Sequence, residues 1–187
     1  MKKLTGLFLL ICISFITYCQ NNLDNKIDSI KQKRRNGEFF EGLSNKYFPE
    51  SELTTIDNEK IIFKKLNGKI VYINFWFKSC APCMAEMKGL KKLYDKYKND
   101  KIEFLMITFE DQNTINEIKN KFELEYKMIT VERHKIENWW ITQGFPTHLI
   151  LDKNGKIIYG QSGGLIDEEK ATKEVLNVFS TIIEKYL

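Results

Sequence analysis

Two cysteines, Cys80 and Cys83, stand where a predicted buried strand meets a predicted amphipathic helix. An apolar run over residues 69–75 predicts the strand, and apolar residues spaced by three and four from Cys83 to Tyr97 predict the helix. The first N–H groups of a helix lack partners and its dipole is positive there, so a thiolate is stabilised relative to a thiol. Cysteines of CxxC motifs at helix N-termini have pKa values of about 3.5 to 7.5, instead of about 8.5. We therefore expect Cys80, which opens the helix, to be the more exposed and more reactive thiol.

Two other interpretations of this cysteine pair fit less well. A purely structural disulfide that closes so short a loop contributes only about 2 kcal/mol in the chain-entropy model. A structural zinc ion needs four ligands, whereas the sequence has no second CxxC motif and its two histidines, His134 and His148, are not spaced as a ligand pair. The pattern favours a redox-active dithiol, and we predict neither a metal nor a cofactor.

The first residues have the layout of an export signal. Residues 1–19 combine a basic start, an apolar core too short for a comfortable membrane span, and a possible cleavage region that ends at Cys19. Simple cleavage, which we favour, and a lipid anchor on Cys19 both remain open. Without this leader the chain retains only Cys80 and Cys83, as expected for a dithiol redox centre in an oxidising compartment such as the periplasm.

Length and charge bound the remainder of the chain. The 187 residues, 43% of them hydrophobic, suffice for one well-packed domain. The net charge of +4 gives no indication of nucleic-acid binding. We predict a polar spacer over residues 20–45 and a folded domain over residues 46–187. Segments 52–56 and 60–63, joined by a turn, predict a β-hairpin added to the main sheet.

After the CxxC helix the pattern predicts alternating strands and helices. Buried strands are expected at 102–109 and 128–131 with a helix at 113–122 between them, and Trp139 and Trp140 are expected in the core. An Asn-Gly turn joins predicted strands at 148–152 and 156–159, and a closing helix is predicted from Asp167 or Glu168. The sequence therefore predicts an α/β fold.

Several short motifs give this order of elements a family resemblance. They are Asn74-Phe75-Trp76, Cys80-Ala81-Pro82-Cys83, Glu86 and Gly144-Phe145-Pro146-Thr147. Over roughly residues 45 to 187 the chain resembles the thioredoxin fold, and more narrowly the exported TlpA/ResA-like thiol-disulfide oxidoreductases. The resemblance implies a central mixed sheet flanked by helices, with the N-terminal β-hairpin as an extension.

The resemblance also implies roles for individual residues. Pro146 is expected to be cis and to lie against the disulfide, where its backbone edge meets a substrate strand. With Pro146, the predicted substrate-binding residues are Trp76, Phe145 and Thr147.

Proton transfer is expected to depend on Glu86. Asn74 occupies the position where cytosolic thioredoxin has a buried carboxylate, and an amide cannot take up a proton at working pH. Glu86 follows Cys83 by three residues on one helix face, so we predict that it exchanges protons with Cys83. A Glu86→Gln substitution is then expected to leave the stability nearly unchanged, and Glu110 or Asp111 would be the next candidates.

The predicted function is the reduction of protein disulfides. Cys80 attacks a substrate disulfide and Cys83 resolves the mixed disulfide, which leaves the protein oxidised and in need of a membrane electron donor. Among TlpA/ResA-like proteins, apocytochrome c is one precedent for the substrate and a general periplasmic thiol pool is another.

Two alternative functions belong to other classes within the same superfamily. A peroxidase of the same superfamily would need Thr and Arg partners for a single reactive cysteine, which the residues before Cys80 do not supply. A copper-handling module would use both cysteines with a histidine, for which His148 is the candidate.

Overall fold

The computed structural model describes residues 18, 20, 37–99 and 101–187. Apart from residues 18 and 20, the predicted export signal and the first part of the predicted spacer lie outside the described residues. None of the described helices is long and apolar enough to cross a membrane.

The described residues include seven strands, four α-helices that are described from end to end, the helical residues 37–43, here called α1, and one short 3₁₀ helix at Phe63–Leu66. In chain order they are α1 (37–43), β1 (Glu52–Thr54), β2 (Lys60–Ile62), β3 (Ile70–Phe75), α2 (Ala81–Tyr97), β4 (Ile102–Thr108), α3 (Gln112–Phe122), β5 (Lys127–Thr130), α4 (Arg133–Asn138), β6 (Thr147–Leu151), β7 (Ile157–Ser162) and α5 (Glu168–Tyr186).

Five strands form the central sheet in the order β5-β4-β3-β6-β7. The strands β3, β4 and β5 run parallel, β6 is antiparallel to β3, and β7 is antiparallel to β6. Every residue of β3 and β4 is buried, which explains why the sequence shows continuous apolar runs there. The predicted mixed sheet is therefore confirmed.

Helices cover both faces of this sheet. On one face α2 and α5 pack over Tyr72, and Gly89 permits their close approach because a Cβ there would lie 2.9 Å from the Thr172 Cα. The opposite face carries Val71, Ile73 and Phe75 in a second core cluster. Successive β3 side chains thus alternate between the two cores.

The second core extends further toward the N-terminus than predicted. Phe39 and Leu43, one helical turn apart in α1, are buried there. The compact unit Phe39–Leu187 includes these two apolar side chains, and the predicted domain boundary at residue 46 stays a prediction.

The N-terminal hairpin is present but forms its own sheet. Strands β1 and β2 pair with each other as an antiparallel ladder, separate from the central sheet. The predicted hairpin is confirmed, whereas its addition to the main sheet is wrong. Instead, a backbone hydrogen bond from the Ile56 N–H to the Met128 carbonyl, 2.9 Å long, and a hydrogen bond from Lys127 Nζ to Glu59 Oε1, 2.6 Å long, link the hairpin region to β5.

Candidate active site

Cys80 and Cys83 form a disulfide at the N-terminus of α2. Cys80 is the N-cap residue, and its Sγ accepts a hydrogen bond from the Cys83 N–H at 3.3 Å. Pro82 lies in the first turn, where its missing N–H costs nothing. Cys80 keeps 5% of its surface exposed and Cys83 none. Cys80, which was predicted to be the exposed thiol, is thus almost buried in the oxidised protein. It is nevertheless the more exposed of the two cysteines.

The loop before β6 is fixed beside this disulfide-bearing segment. The Phe145–Pro146 peptide bond is cis, as predicted. Thr147 Oγ1 donates to the Gly144 carbonyl at 2.6 Å, and Thr147 pairs with Phe75 across the sheet. Because Phe75 is the last residue of β3, this pairing places Pro146 near the C-terminal end of β3. The chain continues from that end to the cysteines. Contact between Pro146 and the disulfide stays a prediction.

The predicted substrate-binding residues differ in their exposure. Trp76 is completely buried, and its Nε1 has no hydrogen-bond partner in the described part of the chain. Pro146 and Thr147 are also buried, whereas Phe145 is half-buried. Burial of Trp76 and Thr147 means that their side chains support the site from within. Of the four, only Phe145 is partly exposed, and substrate binding by these residues stays a prediction.

Phe145 belongs to an aromatic cluster that sequence analysis missed. Its ring meets those of Phe77 and Phe109 edge-on, with centroids 5.2 and 5.8 Å away, and Phe77 stacks on Phe109 at 5.3 Å. The Arg133 guanidinium lies over Phe109, 5.2 Å from its centroid. All three rings are half-buried, so they form an apolar surface near the cysteines.

Glu86 lies on the buried side of α2, one turn after Cys83. It is only 3% exposed. Its Oε1 accepts a hydrogen bond from Asn74 Nδ2 at 2.9 Å, and its Oε2 lies 3.1 Å from His148 Nε2. The helical spacing correctly placed Glu86 on the cysteine face of α2, but it gave no sign of these two partners.

His148 connects Glu86 to the interior of the sheet. It is 1% exposed, and its Nδ1 lies 2.8 Å from the Tyr72 hydroxyl and 3.3 Å from Asn74 Nδ2. Burial raises the pKa of Tyr72 well above its usual value, with smaller contributions from Tyr126 and Glu86. The contact arises because Asn74 in β3 pairs with His148 in β6, a register that the sequence alone does not show.

The other carboxylates considered from the sequence have different roles. Glu110 Oε1 accepts a hydrogen bond from the Lys78 N–H at 2.7 Å and so fixes the loop before the cysteines. Asp111 caps α3 by accepting from the Thr114 N–H at 2.7 Å, and this bond holds the Asp111 pKa below its usual value. Each carboxylate thus accepts a hydrogen bond from a backbone N–H, Glu110 from the loop before the cysteines and Asp111 from the first turn of α3.

A small cleft joins the buried carboxylate to the surface. Its lining includes Glu86, His148, Gln161 and Gly164, together with the half-buried Glu174. The cleft leaves about 10 Å³ for the centre of a water molecule, which is enough room for one water. No group of three or more His, Cys, Asp or Glu side chains suited to a metal ion occurs among the residues that the structure describes.

Comparisons with known proteins agree with this arrangement. Residues 45–160, more than half of the chain, match the AhpC/TSA family. Thiol-disulfide oxidoreductase ResA from Bacillus anthracis is 30% identical over 111 residues, covering 59% of this chain and 64% of that protein. ResA from Halalkalibacterium halodurans is 26% identical over 117 residues, covering 62% and 66%. The match thus spans just under two thirds of the length of these relatives.

Solved structures confirm the fold. The thioredoxin domain of a Bacteroides vulgatus thiol-disulfide oxidoreductase superposes with a TM-score of 0.57 at 18% identity, covering 71% of this chain and 97% of that one. A thiol:disulfide interchange protein from Chlorobium tepidum gives a TM-score of 0.54 at 20% identity, covering 71% and 98%. The predicted thioredoxin fold and the resemblance to TlpA/ResA-like proteins are both confirmed.

Proposed function

Because this chain belongs to the AhpC/TSA family, we propose that it is a TlpA/ResA-like thiol-disulfide oxidoreductase that reduces protein disulfides through Cys80 and Cys83. One observation carries the proposal. Cys80 Sγ is the cap of α2 and accepts a hydrogen bond from the Cys83 N–H, so this N–H and the helix dipole are in place to stabilise a Cys80 thiolate.

The reaction follows from the positions of the two sulfurs. In the reduced protein the Cys80 thiolate attacks a substrate disulfide, and one substrate sulfur leaves as a thiolate. The Cys83 thiol then passes its proton to Glu86 and attacks Cys80 Sγ. The Cys80–Cys83 bond forms, the bond to the substrate breaks, and two electrons have passed to the substrate.

The surroundings of the cysteines suit an extended protein substrate. We assign the backbone at Pro146 to pairing with the substrate strand and the Phe145 ring to an apolar contact beside it. The cluster of Phe145 with Phe77 and Phe109 supports this assignment, since it offers apolar surface next to the reactive sulfur.

The oxidised product needs a source of electrons. We propose a membrane electron donor that faces the same compartment, and export directed by residues 1–19. In this account the mature protein is periplasmic, either released after cleavage or anchored through a lipid on Cys19.

Exchange with a model substrate tests the proposal. Reduced protein is expected to reduce insulin disulfides, and equilibration with glutathione is expected to give a potential between about −270 and −120 mV. A Cys80→Ser variant cannot form the Cys80–Cys83 disulfide, so it is expected to lose insulin reduction and to show no dithiol–disulfide equilibrium with glutathione. Peroxide consumption that persists in Cys83→Ser, or copper binding that requires His148, would favour the peroxidase or the copper-handling module instead.

A further inference from the structure

We propose that His148 is a positioning residue for disulfide exchange: as a neutral imidazole it donates from Nε2 to Glu86 and so holds this carboxylate in place to receive the proton of Cys83. The inference rests on the proposed function, since it assigns His148 to the resolving step. Its basis is a fully buried set of contacts that connects β3, α2 and β6. Glu86 and His148 are 4% and 1% exposed at their side chains, with Oε2 and Nε2 3.1 Å apart.

Two donors on the far side of the ring determine which nitrogen carries the proton. His148 Nδ1 faces the Tyr72 hydroxyl at 2.8 Å and the Asn74 Nδ2 group at 3.3 Å. Asn74 Nδ2 can only donate, and the raised pKa of Tyr72 keeps its hydroxyl protonated and able to donate. Nδ1 is therefore the acceptor, and the single ring proton lies on Nε2, directed at Glu86.

Two phenols and one further carboxylate lie around this pair. Burial also raises the pKa of Tyr126 well above its usual value and that of Tyr159 to about 12, so both phenols stay neutral. Glu174 lies across the small cleft, where its Oε1 accepts from Gln161 Nε2 at 3.3 Å. A second ring proton, on Nδ1, would give His148 a positive charge and would require Tyr72 and Asn74 both to give up their present bonds to Nδ1.

The arrangement assigns each bond of Glu86 a function in the resolving step. Asn74 Nδ2 holds Oε1 and His148 Nε2 holds Oε2, so the carboxylate is fixed at both oxygens. When Cys83 attacks Cys80 Sγ, its proton moves to Glu86, the substrate leaves as a thiolate, and Glu86 later returns the proton to water in the cleft. Loss of the His148 donor disfavours the carboxylate relative to the acid.

The first test reads the tautomer of His148 directly. In full-length ¹⁵N-labelled protein, NMR is expected to show a neutral His148 with its proton on Nε2 between pH 6 and 8. A proton on Nδ1, or a doubly protonated ring at pH 7, would overturn the proposal. This measurement does not depend on exchange activity. The tautomer of His148 can therefore be read even if the proposed function proves wrong.

The second test measures the resolving step. A mixed disulfide of Cys80 with thionitrobenzoate releases a coloured thiolate when Cys83 attacks. In His148→Leu the pH dependence of release is expected to move upward by about one unit, a tenfold slower rate on the pH-dependent limb. In His148→Gln, whose amide can still donate to Glu86, the profile is expected to stay close to wild type. An unshifted profile in His148→Leu contradicts the proposal.

A tyrosine pair provides a test that keeps the imidazole. Tyr72→Phe removes one donor to Nδ1, so a smaller shift in the same direction and a mixture of tautomers are expected. Tyr126→Phe is the matched control because Tyr126 is equally buried and loses one hydrogen bond, to the Leu90 carbonyl, without a bond to His148. Equal profiles for the two variants would overturn the proposal even if His148→Leu fails to fold.

Discussion

Asn74 donates a hydrogen bond from Nδ2 to Glu86 Oε1, 2.9 Å away, across the interface between β3 and α2. Both residues are buried, and Asn74 Oδ1 has no hydrogen-bond partner within the described residues. The amide that replaces a carboxylate in β3 thus orients the carboxylate that α2 supplies. In the proposed mechanism, proton transfer therefore depends on the pair of Asn74 and Glu86 rather than on Glu86 alone.

Glu86→Gln is expected to slow the resolving step and also to destabilise the fold. The new amide NH₂ must face a donor, either Asn74 Nδ2 or His148 Nε2–H. An unsatisfied buried polar group of this kind costs about 1 to 3 kcal/mol. Because Glu86 is deeply buried, this expectation replaces the nearly unchanged stability that helical spacing alone suggested.

Urea unfolding and thionitrobenzoate release measure these two effects. Glu169→Gln is the control, because Glu169 is exposed on α5 and pairs only with the equally exposed Lys173 among the described side chains. This control is expected to change stability by less than about 0.5 kcal/mol. A wild-type release profile in Glu86→Gln from pH 5 to 9 would remove Glu86 from the mechanism.

Gly89→Ala is expected to destabilise the protein. A Cβ at this position would lie 2.9 Å from the Thr172 Cα and 3.1 Å from the Val175 Cβ, so α2 and α5 must move apart. Such overpacking costs typically 1 to 3 kcal/mol, about the same size as or larger than the roughly 1 kcal/mol gained in helix propensity. Gly42→Ala in α1 is the matched control, since nothing lies within 4 Å of its Cβ position. Thermal unfolding should show a lower Tm for Gly89→Ala and an equal or higher Tm for Gly42→Ala.

The start of α3 is expected to loosen in acid. The Thr114 N–H bond to Asp111 holds the Asp111 pKa below its ordinary value of 3.8, so the cap is fully formed above that value. Its contribution is lost as the pH falls through the lower folded-state pKa. The Thr114 amide resonance should therefore titrate below about pH 4 in the wild type.

Asp111→Asn separates this effect from general acid unfolding. Asn caps a helix about as well as Asp but does not titrate, so the Thr114 resonance should stay constant in the same range. Identical acid titrations in the two proteins would show that the Asp111 carboxylate does not control the helix start.

Local sequence patterns were sufficient for the elements that carry the cysteines. The apolar run of β3 is recognisable because both of its faces are buried, and Pro82 marks the first turn of α2. The cis bond at Pro146 followed from the family resemblance rather than from the residues alone. These features depend on neighbours close in sequence or on a shared motif.

The contacts of Glu86 could not be predicted in the same way. His148 reaches Glu86 only because β6 pairs with β3 in the register that sets Asn74 opposite His148. Trp140 shows a similar limit, since it was expected in the core with Trp139. Its backbone has a φ of 55°, and its side chain is 84% exposed while Trp139 is 9% exposed. Register and single left-handed residues are set by the whole fold.

Trapping of mixed disulfides tests the central claim most directly. Full-length Cys83→Ser and Cys80→Ser variants are each mixed with a protein that contains a reducible disulfide, and covalent adducts are identified by mass spectrometry after alkylation. Cys83→Ser is expected to hold the substrate through Cys80, because the resolving thiol is absent, whereas Cys80→Ser is expected to form no adduct. Adducts that form only with Cys80→Ser, or adducts with neither variant while both remain folded, would contradict the account.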